Sequence, residues 1–163
     1  MNVSVTKIGA VAALLGGLWS GLTAVQANEA RPASAKVKYY QSEATKTLGL
    51  PFSDVVQIGD LYFLSGQIGA LPGTLTMAGD TMETQARQAM DNIGAILKER
   101  DLTFDNVVKC TVMMKDMSQW GAFNAVYVTY FKLGQYPARS AFGANDLAIG
   151  ALLEIECIAA QIG

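Results

Sequence analysis

The chain has 163 residues, 51% of them hydrophobic and 16% charged, which suits one globular domain with a real core and excludes a disordered chain. Its formal net charge of −2 offers no basic footprint for nucleic acid. It contains no histidine, so proton transfer falls to carboxylates, tyrosine, lysine or water, and its 2 cysteines are too few for a zinc-ligand set.

The first segment differs from the rest. Lys7 is followed by an uncharged apolar run from Ile8 to about Trp19, continuing weakly to Val25, and Val25-Gln26-Ala27 places small residues before Asn28. This is the pattern of a cleavable secretory signal over 1–27, with a periplasmic location in a bacterium as its consequence. The competing reading is a membrane anchor, which four glycines and the small-residue end argue against. Residues 28–48 mix polar and small side chains and read as an exposed arm leading into a domain over 49–163.

Within the domain, Val55–Ile58 and Leu61–Ser65 read as two short strands around the turn signal Gly59-Asp60. Pro72-Gly73 marks another turn. The period then changes: Met82, Ala86, Ala89, Ile93, Ile96 and Leu97 recur at helical spacing, predicting a helix from Asp80 to about Arg100. Asp80 and Glu83 are expected to cap it reciprocally. Val107–Met114 is β-branched and apolar, a buried strand. A second helix is expected from Ser118 or Gln119, with Trp120, Phe123, Tyr127, Tyr130 and Phe131 on one stripe. Two further strands follow between Tyr136 and Ala160. The order β-β-α-β-α-β-β predicts an α+β domain with two helices on one face of a mixed sheet.

Seven positions stand out chemically. Arg139 opens a strand, where its guanidinium can hold a carboxylate through paired hydrogen bonds or serve in an ordinary ion pair with Glu154 or Asp146. Glu154 and Glu156 share one strand face with Ile158 and Ala160, roughly 7 Å apart, while Leu153, Ile155, Cys157 and Ala159 face the helices. That glutamate face is either solvated or set against another subunit or a cleft. Asn124 falls on the inner stripe of the second helix, where an amide must find partners. Ser65 ends a strand without a histidine to activate it. Cys110 and Cys157 are compatible with a disulfide or with two buried thiols.

The closing stretch PARSAFGANDLAIGALLEIECIAA, together with SGQIG, QARQAMDNIGAILKERDLTFDNVVKCTVMMKD and FNAVYVTYF in order, resembles the RidA/YjgF family of imine deaminases from about Gly49 to Ala160. The resemblance implies a chorismate-mutase-like fold and a homotrimer with active sites between subunits. By position, Arg139 is similar to the arginine that binds the substrate carboxylate, and Glu154 to the glutamate that positions or activates water. Ser65 and Asn124 match polar residues at or near the cleft. Phe52 stands where better-studied members have a tyrosine, and Ala141 where many have cysteine, although its backbone groups remain available for proton movement. The implied reaction is hydrolysis of a small-molecule 2-imino acid to a 2-oxo acid and ammonia. The implied reaction needs no metal and no cofactor, while the net charge argues against a nucleic-acid partner and the glycines and small-residue end of the apolar run against a stable membrane anchor. A trimeric binding protein for small carboxylates is the alternative, and a related deaminase acting on an amino-substituted ring-cleavage product is a third reading.

Overall fold

The computed structural model describes residues 36–161. The expected signal over 1–27 and the first part of the arm, 28–35, lie outside the described residues. The end of that arm is not merely an exposed lead-in. Val37–Tyr40 forms strand β1, paired antiparallel with β2 (Val55–Ile58), and Glu43–Thr47 forms a short helix, α1. Asp54 holds this corner by accepting hydrogen bonds from the Ser42 backbone N–H and the Thr45 hydroxyl, each 2.6 Å. As an exposed edge strand, β1 has no buried face and hence no apolar alternation to reveal it.

Strand β2 turns into β3 (Leu61–Leu64), and a two-residue strand, β4 (Gln67–Ile68), follows. Helix α2 (Met82–Lys98) leads to β5 (Val107–Met114), and α3 (Trp120–Tyr127) to β6 (Ala138–Gly143) and β7 (Leu153–Ala160). The sheet order is β1-β2-β3-β7-β5-β6, with β4 also on β7. Among the described residues only β5 and β6 pair in parallel, as the α3 crossover between them requires, so the sheet is mixed.

Helix α2 is capped by Thr81 rather than by Asp80. The Thr81 hydroxyl accepts from the Thr84 backbone N–H and the Thr84 hydroxyl receives the Thr81 N–H in return. Glu83, expected in that role, instead lies 3.5 Å from Arg87 on the helix surface. The threonine pair supplies the same oxygen acceptors one residue later. The α3 stripe also ends differently: Tyr130 lies in a tight 3₁₀ turn beyond the helix and Phe131 follows it.

Both helices lie on the sheet face formed by Leu153, Ile155, Cys157 and Ala159, all buried as their alternation predicts. Met90, Ile93 and Leu97 of α2 and Phe123 of α3 complete this core. Each such side chain stabilises the fold by about 1.5–3 kcal/mol through removal from water. Cys110 faces Cys157 directly across the β5–β7 ladder, and the two form a disulfide within the core. The other face carries Ile58, Leu61, Phe63 and Ile158 beside Glu154 and Glu156, and no element of the described residues covers it. Ile58, Leu61 and Phe63 are about 40% exposed.

Candidate functional site

The sequence-derived residues fall into two groups. The first gathers around the β3–β4 bend. Strand β3 stops at Leu64, because Ser65 turns inward: its hydroxyl donates to the Ser53 carbonyl at 2.7 Å, and its N–H to the Asp54 carbonyl. Ser65 thus ties the bend to the loop carrying Phe52, whose carbonyl accepts from Gln41 and whose ring is exposed. Glu154, paired with Ile68 across β4–β7, reaches back so that its carboxylate occupies the space above Gly66. Any β-carbon at residue 66 would overlap that carboxylate. Among the described residues no ion pair reaches Glu154, and burial first, then the charge of Glu156, raises its pKa above the ordinary glutamate value.

Two amides brace this region from α2. Asn92 donates to the carbonyls of Ile68 and Ala70, and buried Gln85 bridges the Gly79 carbonyl to the Leu152 N–H, two residues before Glu154.

The second group lies along β6 and α3. The Arg139 guanidinium carbon sits 4.5 Å from the ring centres of both Trp120 and Tyr127, and 5.8 Å from Phe123. Asp146, one ordinary partner considered for it, is instead 3.5 Å from Lys115. No carboxylate among the described residues pairs with Arg139. Ala141, two residues along the edge strand, shares its face. Asn124 belongs to the same helix, and its Oδ1 is buried without a hydrogen-bond partner in the described chain; so is the Tyr127 hydroxyl. Burial pushes the Tyr127 phenol up to about 12, with the Arg139 charge acting in the opposite sense.

The two groups do not meet within one chain. Arg139 registers with Cys110, and Cys110 with Cys157, which places Arg139 on the helix face. Glu154 lies on the opposite face, two strands across and three residues along, a backbone separation of roughly 14 Å. The structure thus brings Ser65 to the Glu154 region and Asn124 to the Arg139 region, but leaves a half-buried cation and a half-buried carboxylate without partners. Gly66, Trp120 and Tyr127 were missed as site residues. The aromatic stripe was legible, but only the β6–α3 packing shows which cation it holds.

An α+β fold with this split polar constellation defines the class, and comparison with known proteins supplies the family. The family model described as Endoribonuclease L-PSP matches residues 43–161. A 2-iminobutanoate/2-iminopropanoate deaminase of Mus musculus is 40% identical over 111 residues, covering 68% of this chain and 82% of that protein. A RutC family protein of Synechocystis is 39% identical over 110 residues, covering 67% and 85%. The crystal structure of YyfA, a Rid-family protein of Yersinia pestis, superposes with a TM-score of 0.71 at 31% identity, over 77% of this chain and all of that one. The chain belongs to the RidA/YjgF family.

Proposed function

We propose that the protein is a homotrimeric hydrolase that converts 2-imino acids to 2-oxo acids and ammonia in clefts between subunits. The observation that carries this reading is the placement of Arg139 and Glu154 on opposite faces of one sheet. A second copy is needed to set one subunit's arginine against another's glutamate. The uncovered apolar face bearing Leu61, Phe63 and Ile158 supplies a surface for such association. The name of the mouse relative supports the substrate class. The word endoribonuclease in the family description does not carry over: a net charge of −2 and the lack of histidine fit a small carboxylate better than RNA.

In this reading the Arg139 guanidinium grips the substrate carboxylate, with Asn124 and Phe52 lining the cleft. Glu154, its carboxylate over Gly66, takes a proton from water as the oxygen adds to the iminium carbon. The same proton passes to nitrogen, with the backbone at Ala141 assisting; as the C–N bond of the carbinolamine breaks, its hydroxyl gives its own proton to Glu154, leaving the 2-oxo acid, and ammonia departs with that proton as ammonium. A protonated imine is already electrophilic, so positioning and acid–base assistance suffice. Export through the 1–27 segment is part of the proposal, and the Cys110–Cys157 bond supports it, since disulfides persist in oxidising compartments.

The test is complementation. Arg139→Ala and Glu154→Gln should each release ammonia from imino acids, generated in situ from several amino acids, no faster than spontaneous hydrolysis. Co-expressed, they should form mixed trimers in which about a quarter of the clefts join an intact arginine to an intact glutamate, restoring activity in proportion. Native mass spectrometry monitors the trimer. Inactive mixed trimers would refute a shared site, and a wild-type protein no faster than the spontaneous reaction would favour the binding protein.

A further inference from the structure

A guanidinium held by a carboxylate or carbonyl has spent part of its donor set. Arg139 is held differently. Trp120, Phe123 and Tyr127 stand at i, i+3 and i+7 on one stripe of α3, and their neighbouring rings are 5.8 Å and 5.4 Å apart. They form an aromatic trough along the helix. The Arg139 guanidinium lies in it, 4.5 Å from the ring at each end and 5.8 Å from the middle one. Stacking on ring faces fixes the plane of the group while leaving its edge N–H donors unused. Edge strand β6 carries it, so among the described residues one flank of the trough has no further strand beside it.

We propose that Trp120 and Tyr127 are positioning residues, whose rings orient the Arg139 guanidinium edge-outward as a preformed receptor for a planar carboxylate. This rests on the reading of Arg139 as the carboxylate anchor. The role belongs to the rings and not to the Tyr127 hydroxyl, which is buried without a partner among the described residues. Orientation of the carboxylate is common to substrate and transition state, so its loss weakens binding more than turnover. Lysine at 139 gains little from the trough, because only a planar group stacks on both ends and still presents two parallel donors.

The experiment measures binding of 2-oxobutanoate by calorimetry, KM and kcat for imino acid hydrolysis, and the Nε–H signal of Arg139 in 15N-labelled protein. Trp120→Leu should raise Kd and KM at least tenfold with kcat within about threefold of wild type. Its Arg139 signal should lose the upfield ring-current shift that the wild type shows. Trp120→Phe, which keeps a ring, should recover most of the affinity, and Tyr127→Leu should weaken binding in the same way as Trp120→Leu. If Trp120→Leu binds like wild type while Arg139→Ala does not bind, the positioning role is overturned and the anchor stands. If Arg139→Ala binds like wild type, the anchor itself fails. Should Trp120→Leu not fold, the wild-type spectrum decides: an Arg139 signal without a ring-current shift overturns the proposal, and a shifted one supports it.

Discussion

Gly66 and Glu154 share one volume: the glutamate carboxylate occupies the place where a side chain at residue 66 would begin. Glycine serves there for space, since its backbone does not adopt the left-handed conformation that glycines 49, 59 and 73 do. Gly66→Ala should therefore fold and assemble normally while displacing the carboxylate from its water. Turnover should fall by roughly 10²-fold or more, the usual contribution of a positioned acid–base group. Ammonia release with circular dichroism as control measures it, and a Gly66→Ala enzyme of wild-type activity would show that Glu154 need not sit over that bend.

The pH dependence follows from the same carboxylate. Burial and the neighbouring Glu156 raise the Glu154 pKa, so its basic form is lost at a higher pH than that of an ordinary glutamate. Turnover should fall as pH drops through this raised value, and Glu156→Gln should move the limb to lower pH. Stability runs the other way. The folded chain holds this proton more tightly than the unfolded one, so the contribution is present below the ordinary glutamate value and lost as pH rises through the raised one. Rate profiles between about pH 4 and 8 for wild type and Glu156→Gln check the limb; coincident profiles would contradict it.

The Cys110–Cys157 bond closes a loop of sequence separation 47 within the core. Chain entropy assigns such a loop about 4 kcal/mol. The double variant Cys110→Ala/Cys157→Ala should lower the melting temperature by about 10 °C or more. Differential scanning calorimetry reads it, and an unchanged transition would mean that packing alone holds the β5–β7 register. Thiol titration of unreduced, denatured protein should find no free cysteine.

Ile149 has a φ of 47°, in the left-handed region that a β-branched residue seldom occupies, and is exposed. Its half-exposed side chain sits on a backbone conformation that costs about 1–2 kcal/mol. Ile149→Asn, and more so Ile149→Gly, should raise the denaturation midpoint, worth about 1 kcal/mol, while leaving turnover unchanged. A destabilised Ile149→Gly would show that the side chain has a partner in the assembled protein.

What the sequence by itself determined is local. Alternation along Leu153–Ala160 separates the glutamates from the face that packs on α2 and α3, and the 3.6-residue period of Met82–Leu97 places that helix against it. The run PARSAFG around β6 has no clean alternation, so it does not declare where Arg139 points. That was decided by the parallel pairing of Arg139 with Cys110, made after the α3 crossover, and by the α3 rings it then meets. Strand β1, exposed at the edge, and the Thr81–Thr84 cap were likewise settled by pairing and hydrogen bonding. A strand's own residues set which of them share a face. Which face meets which neighbour depends on registers between strands far apart in the chain, and those are fixed only when the sheet assembles around its core.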